Sequence, residues 1–309
     1  MEKRIIGRYE GQEKGALLIC IGGMHGNEPS GIAAIEEVFR LLRIEHKVNP
    51  TFQYKGVMTG IRGNLAALNT KQRFINRDLN RMLTSSELER IKKLEPDHLA
   101  EEDRECLELI SAIEDERKKY DVPLTLILDM HTTTADGGIF TIAAEDDLSR
   151  ILAKGLHAPV VLGIAEDLAG TTIDYFHHPS QGCFCIVFEA GRHDDPEGVH
   201  RTAAAIINCM RTIGAVESRD VDHRHDGLLI SLSVGLPKIT RLIYHYKIQP
   251  GEKFVMHPGY KNFQNVKAGD VLATNENGDV STPLGGLILM PKYQPQGNDG
   301  FFIVEVVEA

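Results

Sequence analysis

A chain of 309 residues with ordinary globular composition can bury a substantial core and, at roughly 100 to 200 residues per domain, is expected to form two domains. Its formal net charge of −10 argues against nucleic acid or an anionic membrane surface as a partner, because such binders carry a basic face. No apolar run approaches the roughly 20 residues of a membrane helix, and five cysteines without paired zinc-ligand spacing read as reduced thiols in a cytoplasm.

The apolar run 17–21 predicts a buried strand, and Pro29 followed by Ile32, Ile35, Val38, Phe39 and Leu42 predicts an amphipathic helix. Between them the glycine-rich turn 22–31 carries His25 and Glu28, a nitrogen and an oxygen ligand three residues apart. The edge where strands end and helices begin is where open α/β sheets bind ligands. A second strand is expected over 54–61, followed by a polar segment through Arg81 with too few alternating apolar residues for regular structure. Segments of that kind tend to line active sites.

Residues 97–119 predict an exposed helix, acidic early and basic late, whose charge run reads as a solvated face. The buried strand 124–129 delivers His131 at its C-terminal end, and the strand 183–188 delivers Glu189 in the same way. A helix from 196 to about 213 closes this part. Composition changes near 222–227, where His223 and His225 read as a polar linker. Beyond it, Gly and Pro punctuate short β-type runs. The expected fold is therefore α/β, a mixed sheet flanked by helices over 1–220, with a smaller all-β C-terminal domain over 221–309.

His25, Glu28 and His131 together make a candidate mononuclear zinc site, one zinc per chain, with the fourth position left for water as in catalytic rather than structural sites. Glu189 is placed to take the water's proton and pass it to a leaving group. Arg73 offers a fixed guanidinium to a developing oxyanion, and Asn80 with Arg81 offers a bidentate grip on a carboxylate. Asp129, two residues before His131, could orient that ligand from behind. This division of labour is that of amide or ester hydrolysis.

The set His25-Gly26-Asn27-Glu28, Arg73 to Asp78-Leu79-Asn80-Arg81, Asp129-Met130-His131-Thr132 and Phe188-Glu189-Ala190-Gly191 resembles the succinylglutamate desuccinylase/aspartoacylase family, itself similar to zinc carboxypeptidases. The resemblance implies zinc on His25, Glu28 and His131, carbonyl polarisation by Arg73, carboxylate binding by Asn80 and Arg81, and Glu189 as general base. Members that cleave diacid substrates are expected to add an arginine shortly before the catalytic glutamate and a tyrosine from the C-terminal domain. Between 174 and 188 this chain has no arginine or lysine, only His177 and His178, and no one of Tyr244, Tyr246, Tyr260 and Tyr293 stands out. One substrate carboxylate is thus expected to be read strongly and a second to add little.

The leading expectation is a zinc-dependent deacylase or amidohydrolase acting on a small N-acyl amino acid or related acyl compound, and this reading allows a homo-oligomer. The alternatives are a metallocarboxypeptidase and a zinc-stabilised binding protein without catalysis.

Overall fold

The computed structural model describes residues 3–221 and 223–308. Its strands are β1 (Ile5–Glu10), β2 (Glu13–Gly22), β3 (Lys55–Arg62), β4 (Thr125–Thr133), β5 (Phe140–Ile142), β6 (Val160–Leu162), β7 (Cys183–Arg192), β8 (Ile239–Lys247), β9 (Val255–Met256), β10 (Gln264–Val266), β11 (Val271–Asn275), β12 (Gly278–Ser281), β13 (Gly286–Leu289) and β14 (Asp299–Glu308). Eleven of them form one sheet in the order β1-β3-β2-β4-β7-β5-β6-β8-β14-β13-β10, and β12-β11-β9 form a small second sheet. The middle strands β3, β2, β4 and β7 run parallel, while β1 runs antiparallel to β3 and β5 runs antiparallel to β7 but parallel to β6. β4 is buried along its whole length and β7 along all but its last residue, which is why both read as uninterrupted apolar runs in the sequence.

Helices cover both faces. On one, the helix Ser30–Val48 turns Ala34, Ile35, Val38, Phe39 and Leu42 inward and packs on the helix Gly198–Thr212. Each buried side chain of this size contributes about 1.5–3 kcal/mol relative to exposure, so the apolar stripe outweighs the mediocre helix propensity of Ile and Val. On the other face lies the helix Glu101–Tyr120, with Cys106, Leu109 and Ile113 in the core. No helix among the described residues is long and apolar enough to cross a membrane.

Several local expectations change. The acidic helix is not a solvated face, because Glu102, Asp103, Glu105 and Glu116 are buried. Glu102 accepts from the backbone N–H groups of Ile75 (2.6 Å) and Asn76 (3.0 Å), and Glu105 from those of Leu65 (2.9 Å) and Ala66 (3.0 Å). Those carboxylates order the polar segment, which also forms a short helix at Leu65–Thr70 capped by Asn64 and a turn of 3-10 helix at Leu79–Arg81 capped by Asp78. The expected linker near His223 and His225 is instead the start of a helix, Arg224–Ser233. That helix buries Leu229 and pairs Asp226 with Arg211 of Gly198–Thr212. The C-terminal strands also extend the main sheet, since β8 pairs in parallel with β6 from Val160↔Ile239 to Leu162↔Arg241.

Candidate metal centre and active site

The site lies at the C-terminal ends of β2, β4 and β7. β2 ends at Gly22, and the chain then turns so tightly that a Cβ on Gly22 would stand 2.7 Å from the Gly31 carbonyl carbon. A Cβ on Gly26 would stand 2.0 Å from the Ala67 carbonyl oxygen, so only glycine permits this path. The turn presents His25 and Glu28, and β4 presents His131. All three are buried, and one ligand atom from each lies within 4.8 Å of the others. His25 Nδ1 is 2.9 Å from Glu28 Oε1, and His131 Nδ1 is 3.3 Å from Glu28 Oε2. Glu28 is held in place by the backbone N–H of Thr132, at 2.9 Å.

Each imidazole has a carboxylate behind it. His25 Nε2 is 3.1 Å from Asp78 Oδ1, and His131 Nε2 is 3.0 Å from Asp129 Oδ2. Carboxylates only accept, and each ring faces one from either nitrogen, Glu28 from Nδ1 and Asp78 or Asp129 from Nε2, which is more proton donation than a neutral imidazole can supply. Two imidazoles set among three carboxylates need positive charge, which either an extra proton on a ring or a cation supplies; with a cation in front, Nδ1 would turn its lone pair to it while Nε2–H faced the carboxylate behind. Electrostatics agree. Burial pushes Glu28 up, but the charge on His25 and the bond from His131 outweigh it and hold the carboxyl well below its usual range. Burial likewise opposes charging His131, yet Asp129 and Glu28 hold it well above the ordinary histidine value. Two nitrogens and one oxygen suit zinc, whereas magnesium and calcium favour all-oxygen sets. The residues therefore fit such an ion.

The pocket in front of this triad is lined by Arg73, Asn80, Arg81 and Glu189 as well, so all seven residues singled out in the sequence meet at one place. Glu189 is pushed up to about 8, chiefly by burial; the charges on His131 and Arg73 pull it down, while Glu28 adds to the rise. Its Oε2 is buried without a hydrogen-bond partner. Arg73 bonds Asp78 Oδ2 at 3.0 Å and reaches Glu28 Oε1 at 3.5 Å. Asn80 Oδ1 accepts from the Thr172 N–H at 3.1 Å, and Arg81 is 2.5 Å from Asp299 Oδ2.

The family model for the succinylglutamate desuccinylase/aspartoacylase catalytic domain matches residues 14–213. The chain belongs to the succinylglutamate desuccinylase/aspartoacylase family. That family is one of deacylating hydrolases, as the resemblance of the motifs implied. Solved structures share the fold at low identity. A succinylglutamate desuccinylase from Vibrio cholerae is 16% identical with a TM-score of 0.66, covering 95% of this chain and 82% of its own. A succinylglutamate desuccinylase/aspartoacylase from Rhodobacter sphaeroides is 16% identical with a TM-score of 0.62, over 95% and 87%. The product-bound ectoine utilization protein EutE (DoeB) from Ruegeria pomeroyi is 16% identical with a TM-score of 0.60, over 97% and 87%. A comparison with curated proteins finds no significant match.

Against the family pattern, the departures noted in the sequence take a definite form. His177 pairs with Asp146 at 2.9 Å, His178 is exposed, and neither lines the pocket. None of the four candidate tyrosines lines it either, and Tyr293 spends its hydroxyl on the His257 and Tyr260 carbonyls. The segment 290–299 instead supplies Met290, Lys292, Gln294, Gln296, Gly297 and Asp299 to the pocket wall. Asn27 donates to Gln294 at 3.3 Å, Gln296 donates to the Phe74 carbonyl at 2.9 Å, and Thr134 donates to the Pro291 carbonyl at 3.1 Å. Sequence reasoning missed this segment and the part played by Asp78. Asp78 could have been found from its place two residues before Asn80; the 290–299 segment carries no motif.

Proposed function

We propose that the chain is a zinc-dependent deacylase that removes the acyl group from a small N-acyl amino acid or related acyl compound. The observation that carries the reading is the pairing of a two-histidine, one-glutamate set, each histidine close to a further carboxylate, with a buried glutamate in the same pocket whose Oε2 has no hydrogen-bond partner. His25, Glu28 and His131 would hold the zinc, which would supply Lewis-acid chemistry toward an acyl carbonyl and a water.

Glu189 accepts one proton from the attacking water as the new carbon–oxygen bond forms, then returns it to the nitrogen as the carbon–nitrogen bond breaks. Burial holds Glu189 up at about 8 even with the charges on His131 and Arg73 nearby, and a further cation held by the triad would pull it down toward the range of a base. Arg73, already fixed by Asp78, turns its guanidinium to the developing oxyanion. Asn80 and Arg81 face the substrate carboxylate, with Arg81 shared by Asp299.

In this reading the hydrolytic unit is 1–220, and 221–309 walls its mouth through the 290–299 segment. That wall favours small acyl compounds over peptide chains. Five unpaired thiols, all buried, accord with a cytoplasmic setting.

Metal analysis paired with an acyl-substrate screen tests the proposal. The purified protein should hold about one zinc per chain, and His25→Ala should lose both metal and turnover. A His25→Ala protein with full metal occupancy would overturn the assignment.

A further inference from the structure

The cations of the pocket differ in what they already hold. Arg73 is committed to Asp78 and Glu28, and Arg81 to Asp299, whose other oxygen lies 3.1 Å from His245 Nε2. Lys292 lines the same pocket, half-buried, and donates only to the Pro295 carbonyl at 3.3 Å. Among the described residues no carboxylate forms an ion pair with it. A substrate carboxylate that approaches Arg81 must share the guanidinium with Asp299 and meets that anion's repulsion. One that approaches Lys292 displaces no ion-pair partner, since Asp299 acts on that ammonium only from beyond ion-pair distance.

The backbone holds Lys292 in place, since its N–H donates to the Gly300 carbonyl at 3.0 Å and its neighbour Pro291 accepts from Thr134. Burial, reinforced by the charge on Arg73 and opposed by Asp299, keeps its ammonium below the usual lysine range, as expected of a cation short of compensating negative charge.

Resting on the deacylase reading above, we propose that Lys292 is the specificity-determining residue that reads a substrate carboxylate, while Asp299 screens Arg81 from doing so alone. The substrate class is an N-acyl compound with a carboxylate on either its acyl or its amine portion.

Three matched substrates separate those portions: N-butyryl-L-alaninamide is neutral, N-butyryl-L-alanine carries its acid on the amine product, and N-succinyl-L-alaninamide carries it on the acyl group. For the zinc-loaded protein, kcat/KM should favour one of the two acids over the neutral compound by roughly 10- to 150-fold, the loss expected for one charge-assisted hydrogen bond. Lys292→Met should collapse that ratio with zinc content unchanged, and Lys292→Arg should retain it. Succinate binding by calorimetry, a readout independent of turnover, should weaken by a comparable factor in Lys292→Met. A Lys292→Met protein that keeps both the acid preference and the succinate affinity overturns the inference. If the zinc-loaded wild type cleaves none of the three, the deacylase reading fails, and succinate binding alone still decides the role of Lys292.

Discussion

His131 and Glu189 are direct partners across the parallel strands β4 and β7, so a candidate ligand and the candidate base leave the sheet at the same level. A one-residue slip in that register would turn Glu189 to the opposite face of the sheet, so the pairing of two apolar strands sets how the candidate ligand and the candidate base face each other.

That separation makes the two roles testable apart. Glu189→Gln is nearly isosteric and should keep zinc and fold while turnover falls by about 10² to 10⁴, the usual cost of losing a general base. Metal content and kcat are measured on the same preparation. Retained zinc with wild-type turnover would leave Glu189 a structural role only.

The carboxylates behind the imidazoles should matter to the metal more than to the fold. Asp78→Asn and Asp129→Asn are each expected to weaken zinc binding by roughly 10- to 100-fold, read by competition with a chelator of known affinity. Asp78→Asn also removes a partner of Arg73, so it should reduce kcat even at saturating zinc, whereas Asp129→Asn should be largely corrected by added metal. Equal zinc affinity in both variants and wild type would confine these groups to packing.

The metal-free protein should lose stability as pH rises. Glu189 sits at about 8 in the fold against an ordinary 4.5, so the folded state keeps a proton that the unfolded chain has released. Its contribution is complete below about pH 4.5 and disappears as pH rises to about 8. His131, held well above its ordinary 6.5, acts in the same sense as pH rises beyond 6.5. Denaturant titrations of metal-free wild type and Glu189→Gln at pH 5, 6.5 and 8 should therefore show a shallower decline in the variant. Parallel declines would mean that Glu189 ionises normally in the fold.

Strands buried on both faces were readable from the sequence because burial forces uninterrupted apolar runs, and β2, β4 and β7 carry the site residues at or just beyond their C-terminal ends. Asp129 was readable for a related reason: residues two apart on a strand share a face, which puts it beside His131. Strands of three residues such as Phe140–Ile142 and Val160–Leu162 are too short to show a period. Glu102 and Glu105 looked like surface charges because the N–H groups they satisfy lie about 25 to 40 residues away in the chain. Lys292 was hidden more deeply still, because a coil residue gains its meaning only from what the fold sets opposite it.

The pieces of the site come from opposite ends of the chain. His25, Glu28 and His131 are all available once the chain has reached 133 and β4 has paired with β2, whereas Lys292 and Asp299 come from its last twenty residues. On the reading proposed above, the groups that would hold an ion therefore lie in the first half of the chain and those that would choose a substrate partly at its end. The 290–299 segment, fastened by Asn27, Phe74, Thr134 and Arg81, ties the end of the chain to the candidate metal centre built from its first half.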